Sequence, residues 1–195
     1  MPRPRGKEAV QDALIQAAAL RFAASGITAV SLRDIAQQAQ VNHGLIHRHF
    51  GSKQGLLHAT IEKLSADIAK RLGPTQDREL LVSLLRLTFV ETYSQQQFWR
   101  ILSHLMLEDV EIALSTIEFP VVQRMLEAAR RSPSNCLGPE ARLSLLLSLG
   151  LGLLLFRPYL MHSIQLSKEE WDAVKSEILQ WSVLQLARTN SQFSL

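Results

Sequence analysis

The sequence predicts an all-α protein, and three observations carry that prediction. Apolar residues recur at helical spacing along most of the chain. Glycine and proline are sparse, 9 and 7 in 195 residues, while Leu, Ala and Gln are abundant. Two capping-box signatures, Ser31 with Asp34 and Ser167 with Glu170, mark helix starts. About nine helices are expected. Residues 1–53 read as a three-helix N-terminal domain behind a flexible basic arm at 1–7. Residues 54–195 read as a helical body, and a helix over 52–72 links the two.

Met1 to Lys7 is Pro-rich and basic: either a solvated tail or an arm laid along a phosphate backbone or minor groove. Glu8 to Ser25 is predicted helical, with Val10, Leu14, Ala17, Ala18 and Phe22 inward and Gly26 as its stop. Phe22 is expected to pack on Ile35 and Phe50. Ser31 caps the next helix, whose inward face is Leu32, Ile35, Ala36 and Ala39. Gln40-Val41-Asn42 breaks the pattern, and Asn42 is the N-cap of a short helix, His43 to Phe50. Ile46 and Phe50 form its inward pair, leaving His43, Gly44, His47 and Arg48 outward. Two helices about a tight turn, the second with a polar basic face, describe a helix-turn-helix.

Ser52 caps the helix that runs to Leu72, with Leu57, Ile61, Leu64, Ile68 and Leu72 apolar and Gly73-Pro74 as its end. Helices follow at Asp77–Ser94 and Gln95–Leu107, the latter presenting Phe98, Trp99, Leu102 and Met106 beside His104. Glu108–Glu118 is a loop or a short helix. Phe119–Arg131 is helical with Pro120 in its first turn, and Ser132–Pro139 is a loop. Leu143–Phe156 is apolar nearly all round. At 14 residues between Arg142 and Arg157 it is too short for a bilayer, which needs about 20; it belongs in a core or an interface. Pro158 kinks or ends it. The last helix starts at Ser167 and runs to about Arg188, with Trp171, Val174, Ile178 and Trp181 as a seam.

Ser31-Leu-Arg-Asp-Ile-Ala, Ala39-Gln-Val-Asn-His-Gly-Leu-Ile-His-Arg-His-Phe-Gly-Ser-Lys and Leu56-Leu57 together resemble the N-terminal domain of the TetR family of transcriptional regulators, over about residues 8–60. The chain departs from the family at Leu45, where Thr is common, and at His47, where Tyr is common. The resemblance implies a homodimer whose two recognition helices enter successive major grooves of a palindromic operator. It also implies phosphate contacts from Ser31 and Arg33, and a body whose pocket, when filled, moves the DNA-binding domains apart.

The residues give these expectations chemical content. His47 can donate to phosphate, and Arg48 can bond guanine or phosphate. Gly44 lets backbone approach the duplex, and Leu45 can meet a thymine methyl. Asn42 and His43 complete the start of the recognition helix. His49 is either a further contact or a packed histidine. Lys53, with the free N–H groups of a helix start, makes a phosphate site. Charge is distributed accordingly. Residues 1–53 hold seven Lys/Arg against three Asp/Glu, a net +4; residues 54–195 hold fourteen against fifteen, a net −1.

Other function classes lack their signatures. His43 and His47 are spaced like a zinc half-site, but no Cys, Asp or Glu on that element completes a shell. There is no G-x-S-x-G, no Gly-rich phosphate loop and no paired acids beside a histidine, so neither an enzyme nor a cofactor is expected. The single Cys136 excludes an internal disulfide and fits a reducing cytoplasm. Phe89, Phe98, Trp99, Met106, Phe119, Met125, Phe156 and Tyr159, with His104 and His162, are either a small-molecule pocket or simply core. If they form a pocket, an apolar or amphipathic effector suits it. Leu147, Leu151 and Leu154, with Trp171, Val174, Ile178 and Trp181, are the expected homodimer surface. The alternatives to a ligand-released repressor are a DNA-binding dimer that senses nothing, or a helical enzyme or carrier with an idle helix-turn-helix.

Overall fold

The computed structural model describes residues 4–72, 93–108, 110, 117–131 and 137–187. Among these residues there are nine helices and no strand. They are α1 (Lys7–Ser25), α2 (Leu32–Gln38), α3 (Gly44–Phe50), α4 (Lys53–Leu72), α5 (Tyr93–Leu107), α6 (Pro120–Arg131), α7 (Pro139–Leu155), α8 (Arg157–Ser163) and α9 (Lys168–Ala187). The chain forms two compact units, one of residues 1–69 with 92–119 and one of 70–91 with 120–195.

The first unit is built on α1. Its predicted inward face is buried, and Ala19 and Ala23 join it. Small residues at 17, 18, 19 and 23 let neighbouring helices come close, and α2 and α5 both pack there. Ile35, Ile46, Leu56, Leu57, Ile61 and Ile101 close the core around Phe22. Phe50 differs from expectation. It is only half buried and lines an open hollow of 390 Å³ with Ile15 and Ala59, rimmed by Glu8, Gln11 and Asp12. The ring ends α3 at the unit's edge, so Ile46 alone carries the inward side of that helix.

The α2–α3 turn is held by backbone. Val41 N–H donates to Ala36 O at 3.0 Å and Gln40 N–H to Gln37 O at 3.1 Å, with Gln40 at φ +56°. That is a Schellman ending, with glutamine where glycine is usual. α3 begins one residue later than predicted. The Asn42 side chain still caps, accepting from Gly44 N–H at 2.8 Å, but His43 occupies the cap position. The first turn is tightened by Leu45 N–H to Asn42 O and Ile46 N–H to His43 O, both 3.0 Å.

α4 starts as predicted, with Ser52 Oγ accepting from Gly55 N–H at 3.0 Å. α5 corrects two expectations. Tyr93 and Ser94 belong to it, since no breaker separates them from Gln95; the rest of the helix predicted at 77–94, Phe89 included, lies outside the described residues. Its buried stripe is Phe98, Ile101 and Leu105, and Met106 is exposed. The sequence offers helical stripes at 98/101/105 and at 98/102/106, and packing against α1 selects the first.

In the second unit, α6 starts at Pro120 and buries Met125, Ala128 and Ala129. α7 starts at Pro139, which is its first residue rather than the end of a loop: Gly138 stands at the cap and proline suits the first turn. α7 packs on α6, and the buried Arg142 donates to the Ala129 carbonyl at the end of α6. At Phe156 the chain bends by 70° into α8, where Pro158 sits in the first turn. Among the described residues no single helix is long and apolar enough to cross a membrane. The α9 capping box is present, with Ser167 N–H to Glu170 Oε2 at 2.7 Å and Glu170 N–H to Ser167 Oγ at 3.2 Å. Its seam divides. Trp171 is 1% exposed and is core within its own unit, whereas Trp181 is 54% exposed. Ten residues at 3.6 per turn leave the two rings about 80° apart around the helix.

Candidate nucleic-acid interface

Ser31 and Asp34 fix the start of α2. Asp34 N–H donates to Ser31 Oγ at 3.2 Å, and Asp34 Oδ2 accepts from Ser31 N–H at 3.1 Å and from the hydroxyl at 2.6 Å. The Ser31 hydroxyl, more than any other group, holds the Asp34 carboxyl below its usual range, so it stays ionised. Arg33 is exposed beside this cap, next to the free N–H groups of the helix start.

α3 presents Gly44, His47 and Arg48 to solvent, with His43, Leu45 and His49 half buried. The His43 and His47 rings meet edge to face at 5.1 Å. His47 Nδ1 lies 3.1 Å from the carbonyl oxygen of Gly51, the residue that ends α3 at φ +73°. His49 meets Phe50 edge-on at 6.3 Å and is half buried. Among the described residues no three His, Cys, Asp or Glu side chains converge as a metal site would require.

Lys53, half buried at the start of α4, donates from Nζ to the Thr28 carbonyl at 3.3 Å. The same loop is gripped from its other side. Glu108, in the turn that closes α5, accepts from Ile27 N–H at 3.1 Å through Oε1 and at 3.0 Å through Oε2. It accepts from Thr28 N–H at 2.6 Å through Oε2. His104 Nδ1 sits 3.0 Å from Glu108 Oε1. The Thr28 N–H, chiefly, and then Ile27 and His104 hold the Glu108 carboxyl below the usual glutamate range. Gly26 has φ +84°, and a Cβ there would strike the Glu108 carboxylate. The sequence contains the His104–Glu108 spacing, but nothing local tells that the carboxylate reaches a loop 81 residues earlier.

The residues considered for a pocket are distributed as follows. In the first unit Phe98 is buried, Trp99 meets it edge to face at 5.0 Å, Phe119 is half buried and His104 is engaged with Glu108. In the second unit Met125 is buried, while Phe156, Tyr159 and His162 are exposed and Tyr159 is 68% so. Of the residues considered for self-association, Leu147, Leu151, Leu154, Val174 and Ile178 are half buried.

Residues 14–60 match the family described as "Bacterial regulatory proteins, tetR family". Over 175 residues the chain is 29% identical to the HTH-type transcriptional repressor Rv3405c of Mycobacterium tuberculosis (strain ATCC 25618 / H37Rv), covering 90% of this chain and 88% of that protein. Over 94 residues it is 35% identical to the HTH-type transcriptional regulator BetI of Rhizobium meliloti (strain 1021), covering 46% of each. Among solved structures it superposes on a putative TetR-family transcriptional regulator from Rhodococcus sp. with a TM-score of 0.68 at 20% identity, covering 93% of this chain and all of that one.

Proposed function

We propose that this chain, whose residues 14–60 match the tetR family of bacterial regulatory proteins, is a transcriptional repressor of that family. It binds an inverted-repeat operator as a homodimer and is released by a small apolar or amphipathic ligand. The observation that carries the DNA reading is the concentration of exposed basic and imidazole side chains, Arg33, His47 and Arg48, beside the bare backbone of Gly44 on the two helices of the turn. Gly44 and Leu45, at the start of α3, face base edges, while Ser31, Arg33, His47, Arg48 and Lys53 hold phosphates. The name of the mycobacterial relative supports repression.

Dimerisation is supported by the second unit's exposed apolar side chains. Leu145, Leu155, Phe156, Tyr159 and Trp181 all lie on α7, α8, α9 or the bend between them. A monomer rarely leaves so many large apolar groups of one small unit in water. An inverted-repeat operator asks the dimer to present its two copies of α3 to major grooves about 34 Å apart, or a multiple of that, along the duplex.

The test is selection of bound duplexes from a random library with the purified protein. Recovery of one inverted repeat supports a dimeric, sequence-specific regulator and supplies the operator for ligand-release assays. Binding without a consensus, lost as salt rises, would reduce the interaction to non-specific electrostatics and remove the repressor reading.

A further inference from the structure

His47 is committed at one ring nitrogen. Its Nδ1 faces the Gly51 carbonyl at 3.1 Å, and a carbonyl only accepts, so Nδ1 carries the hydrogen. In the neutral ring Nε2 is then a bare lone pair, an acceptor. Phosphodiester oxygens are acceptors as well. A neutral His47 held by Gly51 therefore has nothing to donate to DNA, and only the imidazolium presents an outward N–H.

We propose that His47 is a proton-coupled phosphate contact: the ring takes one proton from solvent as the duplex docks, so affinity for DNA rises as pH falls. This rests on the DNA-binding reading above.

Three further observations support it. His47 is exposed and lies in the last turn of α3, whereas base edges are read from the start of a recognition helix, so its position favours backbone over bases. The carbonyl end of a helix accommodates a cation. No carboxylate pairs with His47 among the described residues. On its own helix stand His43, Arg48 and His49, and from α4 comes Lys53. From α2 come Arg33 and Asp34, the latter held by Ser31. From α1, Glu8 and Asp12 rim the hollow beside Phe50. Among the described residues the imidazolium thus has no ion-pair partner, and a DNA phosphate supplies one.

The test is fluorescence anisotropy of the full chain with a labelled mixed-sequence duplex at fixed low ionic strength, from about pH 8 to about pH 6. One linked proton tightens binding by up to about ten-fold per pH unit. His47→Gln, which cannot titrate, should lose that slope, while His58→Gln, on α4 and outside the proposed contacts, keeps it. Circular dichroism confirms that each variant is folded. Equal slopes for wild type and His47→Gln, or no slope in wild type, would overturn the proposal. No duplex binding by wild type at any pH would instead overturn the DNA reading on which it stands.

Discussion

Replacing Glu108 by Ala should destabilise the unit that carries the helix-turn-helix, by an amount the structure bounds. The carboxylate accepts from two backbone N–H groups, Ile27 and Thr28, and its side chain is 22% exposed. Ile27 is buried, so its stranded N–H costs about 1.5 kcal/mol. Thr28 is exposed and its N–H can turn to water, at about 0.5–1 kcal/mol. The sum, about 2 kcal/mol, corresponds to a melting point lowered by roughly 4–8 °C in a chain of this size. Glu108→Gln keeps an acceptor oxygen but loses the charge, and should fall by about half as much. The pH dependence has a definite sign. A carboxyl held low in the folded state stabilises it above the unfolded value, about 4.3, and the contribution is lost as pH falls through the folded value. Thermal unfolding followed by circular dichroism, at neutral pH and again in acid, measures both effects. An Ala variant within about 1 °C of wild type at neutral pH would refute the reasoning. So would a gap between the two that does not shrink in acid.

Three further outcomes are expected. Gly26→Ala meets both a φ of +84° and the Glu108 carboxylate, so it should cost about 1–3 kcal/mol in denaturant unfolding; a neutral result would mean the loop re-forms elsewhere. Lys53→Ala should weaken binding to all duplexes alike and lower the slope of log affinity against log salt by about one, and an unchanged slope would remove Lys53 from the phosphate site. Trp181→Glu places a charge on an exposed tryptophan and should convert the proposed dimer to monomer in sedimentation velocity with little change in fold; a persisting dimer would place the contact elsewhere.

What could be read from the sequence was what local rules decide. Both capping boxes, the α1 face, the Ser52 start and the Pro120 start of α6 follow from groups within four residues of one another, and each is present. The stripe on α5 needed a neighbour to choose it, because Phe98 is compatible with Ile101 and Leu105 or with Leu102 and Met106. The division of the tryptophans follows from helical drift over ten residues, which a coiled-coil spacing conceals. In the site, the outward positions of Gly44, His47 and Arg48 were legible from period alone, whereas His43, also expected outward, is half buried at the cap position. The bond from His47 to Gly51 was not, since it depends on a left-handed residue ending the helix. Glu108 was out of reach for the same kind of reason: its partners are named by the fold, not by the spacing.

The grip of Glu108 on residues 27 and 28 bears on how the protein is made. A ribosome releases the residues of α1 to α3 well before it reaches α5, yet the inner face of α1 is closed by Phe98, Ile101 and Leu105, and its exit loop by Glu108. At roughly 5–20 residues per second, the stretch from residue 60 to residue 108 takes several seconds to translate. Throughout that interval the nascent helix-turn-helix has its alanine-rich brace uncovered and its loop unheld. A fragment ended at residue 60 would remain permanently in that condition. The helix-turn-helix is made before α5 but completes its fold only when α5 arrives.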